Sequence, residues 1–282
     1  MISSEKKQVQ TGSFRTAYLE HGTPGNPVLV LIHDGAFGAS AENSWDRFIP
    51  LVADRFHIFA PDLLGWGGSD KVVYFDRAPY APRVEQLRLF VSALQITDAV
   101  FMGVSFGASV LLRWAVADNS DMAARGVIAV SGTGGPYRKP DGMQALADYD
   151  PPSIQAMSDL VAWLIEDFPE RDEHVERRYL ASMIPGHWEA MMAPRLKNPR
   201  SDYAPPADDF LDKLAGVGLP VIFVEAIRDR LVERDWSAEL VARTPGSARV
   251  LLECGHEPNI DQPALLVDVL DNAVAQWTGA GQ

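Results

Sequence analysis

One stretch restricts this chain more than any other. VFMGVSFGASV, residues 100–110, sets a lone serine, Ser105, between Gly103 and Gly107, with an apolar run on each side. The run DAVFMG predicts a short buried strand. FGASVLLRWAVA predicts a helix, with Phe106, Val110, Leu111 and Trp114 at helical spacing. Ser105 therefore stands at a turn from strand to helix, too tight for bulky neighbours, which accounts for the flanking glycines. Gly-x-Ser-x-Gly in this setting is a nucleophile elbow, holding a hydroxyl above the end of a sheet. The pattern alone also fits a Gly/Ser turn without chemistry, so the rest of the chain decides.

Further apolar runs recur with helical patterns between them. VLVLIH (28–33) is continuously apolar, as in a strand buried on both faces of a mostly parallel sheet. FHIFAPD, GVIAVSG, PVIFVEA and ARVLLEC read the same way, and residues 9–20 predict an early strand pair at the sheet edge. WDRFIPLVAD is a helix candidate. RVEQLRLFVSALQI is amphipathic, with Val84, Leu87, Phe90, Val91 and Leu94 on one side, and PALLVDVLDNAVAQW closes the chain. Alternating strands and helices predict a doubly wound α/β sheet. The alternation stops after Gly132, where GTGGPYRKPDG is a Gly/Pro exit. Residues 153–168, 173–183 and 187–192 then predict three helices without a convincing strand. The expected organisation is an α/β core over 1–133 and 213–282, with a helical cap inserted over 134–212. A cap above the strand ends is where a ligand crevice belongs in an open α/β sheet.

A serine hydroxyl needs a base to take its proton, and the base needs a carboxylate to orient it. On an elbow of this kind the chain order is Ser, acid, His. His256, in the loop after the last strand, follows Ser105. His33 and His57 precede it, His174 and His187 fall in the cap, and His21 sits in the first turn. Asp229 lies just past the preceding strand, whereas Glu225 is inside that strand and Glu233 is expected in the next helix. The oxyanion of a tetrahedral intermediate needs two N–H donors. Phe106 supplies one. The loop HDGAFG supplies the other, assigned to Gly35 with Ala36 as the fallback. His33 is expected to fix this loop, and Cys254 to be a buried packing thiol.

Charge and composition narrow the partners. A formal charge of −13 over 282 residues disfavours nucleic acid and anionic membranes, which require a basic face. A single cysteine excludes an internal disulfide and fits a reducing compartment. No apolar stretch reaches the roughly 20 residues that span a bilayer, and the N-terminal MISSEKKQVQ lacks a signal core, so a cytoplasmic protein is expected. His and Cys are too few and too scattered for a metal site, and nothing calls for a cofactor.

The marks HDGAFG, PDLLGWGGSD, GVSFG, RDRLV and CGHE, in that order, resemble the α/β-hydrolase superfamily along nearly the whole chain. The strongest likeness is to the meta-cleavage product hydrolases, which cut a carbon–carbon bond in 2-hydroxy-6-oxo-dienoates formed in aromatic degradation. That resemblance implies a small carboxylated substrate and places a carboxylate-binding arginine on Arg178, in RRYLASMIPGHWEAM. It places a pocket asparagine on Ser44, with Asn43 adjacent. Related enzymes are commonly homodimers. The chain departs from the family pattern in four ways: Val104 replaces an asparagine at the elbow, Glu257 a tryptophan after His256, Ser44 the pocket asparagine, and Asp34 a glycine after His33. These departures leave the triad intact and open the substrate to an ester or a lactone. A ligand-sensing binding protein and an acyl transferase are the other classes compatible with the motifs. An epoxide hydrolase or haloalkane dehalogenase would carry Asp where Ser105 stands.

Overall fold

In a computed structural model of the chain, described for residues 6–75, 77–117, 121–149, 152–193 and 207–279, eight strands form one sheet. They are β1 (Lys7–Thr11), β2 (Phe14–His21), β3 (Val28–Ile32), β4 (His57–Pro61), β5 (Ala99–Val104), β6 (Ala124–Val130), β7 (Val221–Ala226) and β8 (Ala248–Leu252). Their order is β1-β2-β4-β3-β5-β6-β7-β8. From β4 to β8 neighbouring strands are parallel, while β1 and β2 form an antiparallel edge. Parallel strands need a crossover on one face or the other, so helices cover both sides and the central strands carry apolar residues throughout.

The helices are α1 (Ala41–Trp45), α2 (Ala81–Ala93), α3 (Phe106–Ala115), α4 (Pro140–Ala147), α5 (Ile154–Leu164), α6 (Arg171–Ser182), α7 (His187–Met192), α8 (Phe210–Lys213), α9 (Trp236–Arg243), α10 (Pro258–Asp261) and α11 (Pro263–Gly279). On one face of the sheet Leu87 and Phe90 of α2 and Trp114 of α3 pack in a single buried cluster with Val30 and Phe101. On the other, Leu266 and Leu270 of α11 join Trp45 and Phe48 against Leu29 and Val100. Each such side chain fully buried contributes about 1.5–3 kcal/mol, so both helical layers are held by burial more than by helix propensity.

Two local expectations change. The helix expected over WDRFIPLVAD is interrupted: α1 ends at Trp45 and a 3-10 turn follows over Ile49–Leu51. Pro50 has no N–H for an α-helical ladder, and Phe48 and Leu51 bond back three residues, to Trp45 and Phe48. The Gly/Pro exit after Gly132 contains an unexpected helix, α4, with Pro140 in its first turn, where a missing N–H is harmless. Between β6 and β7 no strand interrupts α4 to α8 among the described residues. Residues 150–151 and 194–206 of the expected cap lie outside the described residues. Leu160, Val161 and Leu164 of α5 and Val175 of α6 join Phe37, Leu231 and Ile260 in a third buried cluster, which seats the inserted helices on the strand-end loops.

Candidate active site

Ser105 sits between β5 and α3 with φ 54° and ψ −116°, backbone space that a side chain rarely enters. The flanking glycines are steric necessities. A Cβ on Gly103 would stand 2.7 Å from the Ala108 nitrogen, and one on Gly107 2.3 Å from the His33 carbonyl oxygen. The turn thus packs α3 directly on the end of β3. At the ends of β7 and β8 the loops carry Asp229 and His256, 7 % and 2 % exposed.

The three side chains meet. His256 Nδ1 lies 2.6 Å from Asp229 Oδ2, and His256 Nε2 lies 2.8 Å from Ser105 Oγ. A carboxylate oxygen can only accept, so Nδ1 carries the proton and Nε2 is left to accept the Ser105 hydroxyl. Asp229 is itself fixed: its Oδ1 accepts N–H bonds from Leu231 at 2.7 Å and Val232 at 3.2 Å. Burial opposes the charged form of His256, but the adjacent Asp229 carboxylate outweighs it and raises the imidazole pKa. Glu225 remains within β7 and accepts N–H bonds from Asp235 and Ser237. Glu233 lies before α9 rather than inside it.

Gly35, Ser105, Phe106 and His256 border one cavity of ≈ 570 Å³, its open mouth included. Met143, Leu146, Leu164 and Leu231 form its apolar wall. A Cβ on Gly35 would lie 2.4 Å from Phe106 Cβ, so only glycine lets the two peptide segments approach this closely. Phe106 is the first residue of α3, where the N–H has no partner within the helix and the helix dipole favours negative charge. Its ring stacks on Tyr80 at 5.2 Å and lies 5.5 Å from Trp66. The Ala36 N–H, the fallback donor, is already given to Asp34 Oδ1 at 2.8 Å.

Arg178, Ser44 and Asn43 do not border this cavity; they stand behind the Gly35 loop. Arg178 donates from Nε to the Phe37 carbonyl at 2.9 Å and from Nη2 to Asp34 Oδ1 at 2.5 Å. Ser44 Oγ donates to Asp34 Oδ2 at 3.0 Å, and Asn43 Nδ2 to the Gly38 carbonyl at 2.9 Å. Glu257 stands 3.5 Å from Arg178 Nη1, and neither of its carboxyl oxygens has a hydrogen-bond partner. Burial, reinforced by the Asp34 charge, pushes the Glu257 carboxyl up to about 8. Burial also disfavours the charged Asp34, but Arg178 outweighs it and holds this carboxyl below its ordinary range. Arg178 is thereby paired with Asp34, while burial disfavours the charged form of the Glu257 carboxyl beside them. Asp34 and Glu257 are the two carboxyl groups that face the arginine.

Two histidines lock the loops. His33 Nε2 accepts the Leu63 N–H at 2.8 Å, so its Nδ1 donates to the Asp34 carbonyl at 2.6 Å. His187 of α7 accepts the Gly38 N–H at 3.0 Å, and its Nδ1 donates to the Gly65 carbonyl at 2.8 Å. Burial drives the His187 pKa down to about 4, which suits these neutral-ring bonds. Cys254 is fully buried, and burial raises its thiol pKa to about 12. Sequence pattern gives no signal for two further cavity residues, Ser131 and Arg138; Ser131 closes a run that reads only as a strand, GVIAVSG, and Arg138 sits in the segment that reads only as a Gly/Pro exit. No described helix is long and apolar enough to cross a membrane. Among the described residues no cluster of three or more His, Cys, Asp or Glu could hold a metal.

A parallel sheet with a serine elbow, a late histidine and an inserted helical segment defines an α/β hydrolase. The chain belongs to the alpha/beta hydrolase family, whose model matches residues 29–269. It is 24% identical to the 2-hydroxy-6-oxo-2,4-heptadienoate hydrolase of Pseudomonas putida strain F1, over 95% of this chain and 96% of that protein. Identity to the 2-hydroxymuconate semialdehyde hydrolase of Pseudomonas sp. strain CF600 is also 24%, over 97% and 95%. Among solved structures, the 2-hydroxy-6-oxo-6-phenylhexa-2,4-dienoate hydrolase of Rhodococcus sp. strain RHA1 superposes with a TM-score of 0.80 at 25% identity, covering 96% of this chain and 98% of that one. A carboxylesterase from Bacillus subtilis shares the fold with a TM-score of 0.78 at 18% identity, covering 97% and 92%. The chain is a hydrolase resembling the meta-cleavage product enzymes.

Proposed function

We propose that the chain is a serine hydrolase in which Ser105, His256 and Asp229 cleave a bond beside a carbonyl carbon. The observation that carries this reading is the continuous hydrogen-bonded series from Asp229 through His256 to Ser105, at 2.6 and 2.8 Å. Ser105 Oγ attacks the carbonyl carbon while its proton passes to His256 Nε2. Asp229 holds the imidazolium that forms. The oxyanion receives the N–H groups of Gly35 and Phe106, each such donor being worth roughly 10²–10³ in rate. Collapse expels the leaving group, which takes the proton from His256. Water then enters, loses a proton to His256 and displaces the acyl group as a carboxylic acid, while His256 returns that proton to Ser105 Oγ.

The relatives' names make a 2-hydroxy-6-oxo-dienoate the first substrate to test. There the leaving group is a carbanion, stabilised once the dienol has become a ketone. An ester or lactone is the second reading, and the position of Arg178 favours it. Asp34 occupies that guanidinium, so Arg178, Ser44 and Asn43 hold the Gly35 loop in place instead of gripping a substrate carboxylate. The core (1–133 and 213–282) and cap (134–212) divide the labour: strand ends supply chemistry, cap helices the upper wall.

A fluorophosphonate should label Ser105, and the label should vanish in Ser105→Ala. Turnover of a 2-hydroxy-6-oxo-dienoate, a short aryl ester and a lactone then separates the readings. Labelling that survives Ser105→Ala would overturn the assignment.

A further inference from the structure

We propose that Ser131 and Arg138 form a second polar subsite in the cavity, one that receives a carboxylate carried on the acyl part of the substrate a few carbons from the reacting carbonyl. This rests on the hydrolase reading above and deepens it.

Ser131 follows β6 directly, between the strand that ends in Ser105 and the one that leads to Asp229. Its N–H is tied to the Val224 carbonyl at 2.9 Å, and its φ of 50° is again in the region that favours glycine. The side chain is 1 % exposed and borders the cavity, yet Oγ has no hydrogen-bond partner. A buried hydroxyl left unmatched on a strained backbone, at the edge of a reactive cavity, fits a partner that arrives with the ligand.

Arg138 borders the same cavity and is itself exposed to solvent. Its Nη2 donates to the Tyr80 hydroxyl, an uncharged oxygen. Among the described residues it has no carboxylate partner, although the chain carries 38 acidic side chains and other arginines find one: Arg178 pairs with Asp34, Arg113 with Asp208 and Arg228 with Glu166. Its backbone is fixed beside the Asp229 loop, because Lys139 N–H donates to the Leu231 carbonyl at 2.9 Å and Glu233 N–H to the Tyr137 carbonyl at 2.8 Å. Beyond the N–H given to Tyr80, the guanidinium keeps further donors for a carboxylate, and the Ser131 hydroxyl adds another. The apolar wall accommodates the carbon spacer between carbonyl and carboxylate. The substrate class is therefore an ester or ketone whose acyl part is a short dicarboxylic acid.

The test compares two aryl esters of equal chain length, 4-nitrophenyl hydrogen glutarate and 4-nitrophenyl valerate. The parent enzyme should favour the anionic ester in kcat/KM by about tenfold or more, and Arg138→Gln should reduce that ratio by a similar factor, mainly through KM. Ser131→Ala should reduce it by a smaller factor. A parent ratio below one, or a ratio unmoved in both variants, overturns the subsite. If neither ester is turned over and the fluorophosphonate fails to label Ser105, the hydrolase reading fails separately. Calorimetry with glutarate still reads the subsite in that case: binding by the parent that is lost in Arg138→Gln supports it, and no binding by the parent overturns it.

Discussion

Arg178 and Asp34 form an ion pair sealed inside the protein, with Nη2 2.5 Å from Oδ1 and side-chain exposures of 0 % and 1 %. The pair joins a helix of the inserted segment to the loop that carries Gly35. Removing one partner of such a pair strands a buried charge, at about 3–5 kcal/mol. Asp34→Ala should therefore lower the melting temperature strongly, and adding Arg178→Met should recover part of the loss. An unchanged melting temperature in Asp34→Ala would show that the pair does not hold the loop.

The Glu257 carboxyl gives the same cluster a pH signature. Its pKa rises from an ordinary 4.5 to about 8 in the folded protein. The folded state keeps a proton that the unfolded chain releases, so the stability linked to this group is complete below about pH 4.5 and is lost as the pH climbs through about 8. Glu257→Gln cannot ionise. It should flatten the stability–pH curve over that window and melt higher than the parent at its alkaline end, as urea titrations at several pH values would reveal.

Catalysis should carry the signature of His256. The base must be neutral, and Asp229 raises its pKa. The acid limb of kcat/KM should then rise with pH, with a midpoint above the ordinary 6.5 of imidazole. Asp229→Asn should lower kcat on the order of 10⁴-fold by mis-setting the imidazole. A limb centred well below 6.5 in the parent would contradict the pairing.

His187 ties α7 to two loops at once through Gly38 and Gly65. Its loss leaves a buried N–H and a buried carbonyl unmatched, each at about 1–3 kcal/mol. We expect His187→Ala to melt lower and to turn over more slowly, because the Gly38 end of the Gly35 loop is freed. Faster amide exchange confined to residues 35–40 and 63–67 would locate the effect.

Much of this site is legible in sequence because its chemistry is local. Gly103, Ser105 and Gly107 announce a turn whose steric demands only glycine meets, and a histidine after the last apolar run is easy to place. Burial on both faces makes the central strands continuous apolar runs, so their order along the chain stands out too. What sequence pattern misses depends on contacts between distant segments. The family resemblance puts a ligand-binding role on Arg178, yet its partner is Asp34, 144 residues away. Arg138 belongs to a segment whose Gly and Pro content signals only an exit from the sheet. Pro50, which breaks a helix that the apolar spacing supports, acts through a single missing donor.

β6 separates the strand that leads to Ser105 from the one that leads to Asp229. Adjacent strands keep a spacing of about 4.8 Å, so these two attachment points sit a fixed two steps apart, independent of loop length. The imidazole hanging from β8 spans that interval. Loops above the sheet can lengthen, shorten or change composition to suit new molecules while the reacting atoms keep their separation, since the sheet itself serves as the ruler.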